Sequence, residues 1–249
     1  RLAMRSRSMA GRSFSGLLLV VVCLLAGVSG HGQAQTDVTC GDIAPPDVPA
    51  PYYIGLGDAY FSQGNYTLAV VAYTCAVDLD PNYAPAFINR GFAYAIQLAD
   101  PQAMADYNRA LEIDESLVAA YNNRGMLYLS QGNFGLALND FDLAVALDPG
   151  YAIAYNNRGL VHAAEGHYDL AIADFQQAIT LDPAYAAPHA SLGAVYSALA
   201  LQSYQSYLSI AGPGTRLPAG QPDDIMNALD GGLKNSDFTV WLAFLTPAR

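Results

Sequence analysis

Three triplets, Asn89-Arg90-Gly91, Asn123-Arg124-Gly125 and Asn157-Arg158-Gly159, are the most orderly polar features of this 249-residue chain. An asparagine amide is both donor and acceptor, so it can pair with a peptide unit whatever that unit's side chain. Asn122 and Asn156 stand just before two of the triplets and offer the same chemistry. Sixteen residues after each arginine comes an aspartate: Asp106 after Arg90, Asp140 after Arg124, Asp174 after Arg158. One further position in the series, Leu56 with Ala72, has neither charge. Arginine and aspartate occur together or not at all, which suits structural ion pairs, because an unpaired buried charge is expensive. The alternative is a role for these charges in ligand binding.

Other chemistries fit less well. His162, Glu165 and His167 are metal-ligand types, but a helical zinc motif sets its histidines four apart on one face. These are five apart across Gly166. The expectation is no metal: His162 takes the aromatic slot of Tyr60, Tyr94 and Tyr128, His167 belongs to a turn, and His189 takes another aromatic slot. There is no phosphate-cradling glycine loop, no nucleophile elbow and no histidine with an evident nucleophile. No catalytic residue and no cofactor are therefore expected, and the remaining enzymatic alternative confines any chemistry to 187–249. With 22 acidic and 11 basic side chains the net charge is −11. Arg1, Arg5, Arg7 and Arg12 account for four of the basic ones; without them 7 face 22, a net −15. Such a surface repels nucleic-acid phosphates and anionic lipid. At 53% hydrophobic and 13% charged, the chain is too apolar for disorder.

The candidate residues sit on a fixed period. Gly57, Gly91, Gly125, Gly159 and Gly193 are each 34 residues apart. Ala69, Ala103, Ala137 and Ala171 keep the step, as do Ala76, Ala110, Ala144 and Ala178. Aromatics recur at Tyr53, Phe87, Tyr121 and Tyr155, and at Tyr73, Tyr107, Phe141 and Phe175. Each unit reads as two antiparallel helices that approach closely at Gly and Ala, with aromatics filling the gaps. Gly64-Asn65, Gly132-Asn133 and Gly166-His167 mark the inner turn, replaced by Ala99-Asp100-Pro101 in the second unit. Asp-Pro at Pro81, Pro149 and Pro183 stops the second helix.

This pattern resembles the tetratricopeptide repeat, a 34-residue helix–turn–helix. Four units occupy 50–83, 84–117, 118–151 and 152–185; a partial fifth at 186–211 has Gln205 and Ser209 where the small and aromatic residues belong. The resemblance implies an all-α, right-handed superhelical solenoid with a concave groove and a C-terminal capping helix. It also implies that the asparagines face that groove. Asn89, Asn123 and Asn157, with Asn122 and Asn156 beside them, would then form a ladder for an extended peptide, flanked by Met126 and Leu160. Solvated or turn-capping asparagines are the alternative. Relatives that take acidic C-terminal peptides use a basic clamp, whose matching positions here hold Ile54, Asp58, Ala119 and Asn123. The expected function is a non-enzymatic interaction module, its partner a neutral or basic protein or peptide rather than nucleic acid or a small-molecule cofactor. The rival is an assembly subunit that self-associates through its tail.

The ends carry separate expectations. Arginines followed by the apolar run 17–28 have the layout of a secretory signal peptide, cleaved near residue 34, with an uncleaved anchor as alternative. Export would leave Cys40 and Cys75, either as one disulfide or as two buried thiols. Residues 35–49 read as an extended lead-in, and 212–249 as a tail with an apolar stretch, Phe238 to Leu245, around the sole tryptophan, Trp241.

Overall fold

The computed structural model describes residues 38–45 and 47–211; the leader and the 212–249 tail lie outside them. The regular elements described are helices. A single turn, α1 (Cys40–Ile43), precedes α2 (Ala50–Ser62), α3 (Tyr66–Leu79), α4 (Ala84–Ile96), α5 (Asp100–Ile113), α6 (Val118–Ser130), α7 (Phe134–Leu147), α8 (Ala152–Ala164), α9 (Tyr168–Leu181) and α10 (Ala186–Ala211). Starts at 50, 84, 118, 152 and 186 repeat the 34-residue step. Local chemistry sets these boundaries. Asp80, Asp114, Asp148 and Asp182 each accept the N–H two residues on, at 2.8–3.0 Å, which turns the chain into the next unit. Proline in the first turn of α2, α4 and α5 supplies a preset φ where no intrahelical donor is needed.

Each first helix pairs antiparallel with its own second helix, α2 with α3 through α8 with α9. Each second helix also packs on the next unit's first. First helices touch one another in series, α2–α4–α6–α8–α10, and no such row joins the second helices among the described residues. The first-helix layer is thus the tighter one, and the stack curves with that layer inside. Between the layers, Ala69, Ala103, Ala137 and Ala171 have no exposed surface, and the rings of Tyr73, Tyr107, Phe141 and Phe175 are buried against them. A Cβ at Gly91, Gly125 or Gly159 would come within 2.8 Å of the ring of Tyr107, Phe141 or Phe175. Glycine at the crossing is a steric requirement.

One detail departs from the sequence reading, and a second, the long last helix, agrees with the expected capping helix. The stretch 35–49 is not wholly extended: α1 lies within it, capped by Thr39, whose N–H and hydroxyl both donate to Asp42. A Cys40–Cys75 disulfide fastens α1 to α3. Alkylation without reductant should therefore leave Cys40 and Cys75 unmodified, whether or not Cys23 is present to react, and reduction should add two modified thiols; intact mass reads the difference, and no gain of thiols on reduction would contradict the bond. Second, α10 runs unbroken for 26 residues. The turn glycine of the other units would fall at 200, where the chain has alanine, so nothing stops the helix. In the second unit the corresponding residue, Leu98, takes φ 58° beside φ of 73–80° at Gly64, Gly132 and Gly166. That left-handed leucine costs about 1 kcal/mol.

Candidate functional site

The arginines form the back of the site. Arg90, Arg124 and Arg158 each grip the aspartate sixteen residues on with two parallel bonds from Nε and Nη2, at 2.7–2.9 Å. The aspartates are buried, with side-chain exposures of 7%, 5% and 9% for Asp106, Asp140 and Asp174. The third arm, Nη1, reaches back to the preceding unit's second helix, at Thr74, Asn108 or Asp142. Each guanidinium also lies 5.4–5.6 Å from the ring three residues earlier, Phe87, Tyr121 or Tyr155. The fork therefore staples two successive units as well as the two helices of one. Burial opposes the charge of Arg90, but Asp106 outweighs it and holds the pKa above its usual value. The hydrogen bonds that Arg124 and Arg158 donate to Asp140 and Asp174 do the same for them.

The asparagines divide into two kinds. Asn122, Asn156 and Asn157 are buried, which corrects their reading as groove residues. Where neighbouring first helices both carry the pair, the amides form a hydrogen-bonded chain, which among the described residues leaves Asn156 Oδ1 buried without a partner. Asn156 donates to Asn157 at 3.1 Å, Asn157 to Asn122 across the helix interface at 2.9 Å, and Asn122 to Asn123 at 3.2 Å. Asn89 and Asn123 stay partly exposed. Asn89 donates to Asp58 at 3.1 Å; the same carboxylate accepts from Tyr73, whose phenol pKa burial and Asp58 push up. Asp58 is exposed on α2.

Further along the same face lies a feature the sequence reading only touched. Met126 and Ser130 of α6, Leu160 and Ala164 of α8, and Ser191 and Ala194 of α10 surround an apolar cavity of about 130 Å³ that also touches Phe175. Its walls come from three consecutive first helices. Met126 and Leu160 were legible as apolar neighbours, whereas the contribution of α10 depends on how the last helix stacks.

His162 and His167 come together although their spacing is not that of a helical zinc motif. Gly166, at φ 80°, reverses the chain, and His167 N–H bonds back to the His162 carbonyl at 2.8 Å. Ligand atoms of His162, Glu165 and His167 all lie within 4.8 Å of one another. Among the described residues no helix is long and apolar enough to cross a membrane.

A stack of helical hairpins with a polar and apolar inner face defines a helical-repeat scaffold. Two family profiles place it further: "TPR repeat" matches residues 57–97 and 100–132, and "Tetratricopeptide repeat" matches 122–186, together just over half of the chain. The chain belongs to the tetratricopeptide repeat family, a class of protein-interaction scaffolds that are typically non-enzymatic. Among solved structures, a crystal structure of MamA is 26% identical, covering 59% of this chain and 86% of its own, with a TM-score of 0.50. A thermophilic TPR protein of Thermus thermophilus is 19% identical over 74% of this chain and 99% of its own, with a TM-score of 0.57. The Cut9–Hcn1 hetero-tetramer of the APC/C gives 24%, 65%, 32% and 0.58 respectively. The last two are likenesses of fold alone. No curated protein sequence matches the chain.

Proposed function

We propose that this chain is an exported, non-enzymatic binding module that takes an extended, neutral or basic peptide segment along its first-helix face. The observation that carries the reading is the apolar cavity walled by α6, α8 and α10, placed on that inner face. It suits one apolar anchor side chain. Asn123 stands one turn from Met126 on α6, in reach of the backbone beside such an anchor. At the other end, exposed Asp58 replaces the apolar residues that occupy its register in later units, Phe92, Met126 and Leu160, and favours a basic group. First helices about 8–10 Å apart, against about 3.3 Å per extended residue, put Asp58 and the cavity some 6–9 ligand residues apart. A basic-leader, apolar-core N-terminus and the Cys40–Cys75 bond support an oxidising, exported setting.

The test is selection of displayed peptides on the full chain, followed by titration of the best binder. We expect peptides with an apolar anchor and a basic residue 6–9 positions away. Met126→Glu, at a position 38% exposed, should weaken them about tenfold or more without loss of helicity, because it sets a charge in an apolar wall. Selected peptides without an apolar anchor, or equal binding by the folded variant, would refute the reading. Strong binding of a peptide spanning 234–249 would instead favour assembly through the tail.

A further inference from the structure

His162, Glu165 and His167 stand at positions that can be compared across all four units. The first of the three is tyrosine at 60, 94 and 128; the second is glutamine at 63, 97 and 131; the third is asparagine at 65 and 133 and alanine at 99. In the fourth unit alone all three become metal-ligand types. The turn that brings them together is common to every unit. Asn65, Ala99, Asn133 and His167 each return a backbone N–H to the residue five before, at 2.8–2.9 Å. This helix-ending motif sets residues five apart against one another. The fold thus supplies the juxtaposition, and the fourth unit supplies the ligands.

We propose that His162, Glu165 and His167 bind one divalent transition-metal ion of the zinc class. Two imidazoles and a carboxylate are a zinc ligand set, whereas calcium and magnesium take oxygen ligands. Tetrahedral bonds of about 2.0–2.1 Å put ligand atoms about 3.3 Å apart, so a spread within 4.8 Å needs modest side-chain rotation. Glu165 and His167 are exposed and can make it; they already approach at 3.5 Å, Oε2 to Nδ1. His162 offers a second, independent observation. Among the described residues its Nδ1 is buried with no hydrogen-bond partner, a condition that coordination through Nδ1 would relieve. Its Nε2 lies 3.9 Å from Asp174 Oδ2, beyond hydrogen-bond distance but within reach of the carboxylate's charge. The nearby Arg158 charge is met by Asp174 and Asp142, so it does not confront the ion alone. The fourth coordination position is open to water or to a donor from a bound partner.

Titration calorimetry of ZnCl2 into the metal-free full chain near neutral pH tests this, with MgCl2 as comparison. We expect one equivalent of zinc per chain and no magnesium. The triple variant His162→Tyr, Glu165→Gln, His167→Asn carries the residues of the third unit at these positions and should keep its helicity. Its zinc affinity should fall about 100-fold or more, since outer-sphere partners alone are worth about 10–100-fold. The single variant His167→Asn, at an exposed turn, should lose most of the affinity on its own. Absence of zinc binding by the native chain, or an undiminished site in either folded variant, would overturn the proposal. Because neither measurement involves a peptide, the result is independent of the binding function.

Discussion

Replacing Arg124 by leucine should lower the unfolding free energy by about 3–5 kcal/mol, the range for breaking a buried ion pair from one side. Asp140 is 5% exposed at its side chain and would keep a carboxylate that had lost both parallel donors. The leucine also forfeits the bond to Asn108 and the contact over Tyr121. Removing both charges, as Arg124→Leu with Asp140→Ala, should be much milder. The chain itself carries that solution in its first unit, where Leu56 packs into the core and Ala72 is fully buried. A double-mutant cycle measured by denaturant unfolding, followed by circular dichroism, gives the coupling. Additive effects would mean that the pair does not act as one unit.

The staples were readable because their signal is a correlation within one sequence: two charges sixteen residues apart, present or absent together. The period did the rest, since equal spacing of Gly, Ala and aromatics fixes both the helices and the faces they share. The amides were harder. Asn89, Asn123 and Asn157 have one register and one residue type, yet Asn157 is buried on Asn122 while Asn89 reaches Asp58. What decides is the residue on the neighbouring first helix, 31 or 35 positions away, and no single unit contains that information. His162 and His167 occupy the aromatic slot and the turn that the sequence assigns them; what spacing alone does not show is that Gly166 folds the turn back so that their side chains meet. The cavity depended on α10, whose continuation past residue 200 removes the second helix a fifth unit would have had.

That continuation separates two glycines that the sequence treats as equivalent. Gly125 and Gly193 share one register, but a Cβ on Gly125 would meet Phe141 at 2.8 Å, and one on Gly193 meets nothing within 4 Å among the described residues. Phe141 has no exposed surface and is packed among Ala137 and Val161, so its ring cannot step aside. Gly125→Ala should destabilise by about 1–3 kcal/mol, the usual range for overpacking a core. Gly193→Ala should instead stabilise by about 0.5–1 kcal/mol, because alanine loses less backbone entropy in a helix and here meets no neighbour. The ring that would have opposed it is Ser209 in this last unit, on the same continuous helix. Phe141→Leu should recover part of the Gly125→Ala loss by vacating the space the new methyl needs. Denaturant unfolding of the two alanine variants side by side reads the sign. Destabilisation by both would place a packed partner over Gly193, and stabilisation by both would mean that the helix crossing at Gly125 has slack.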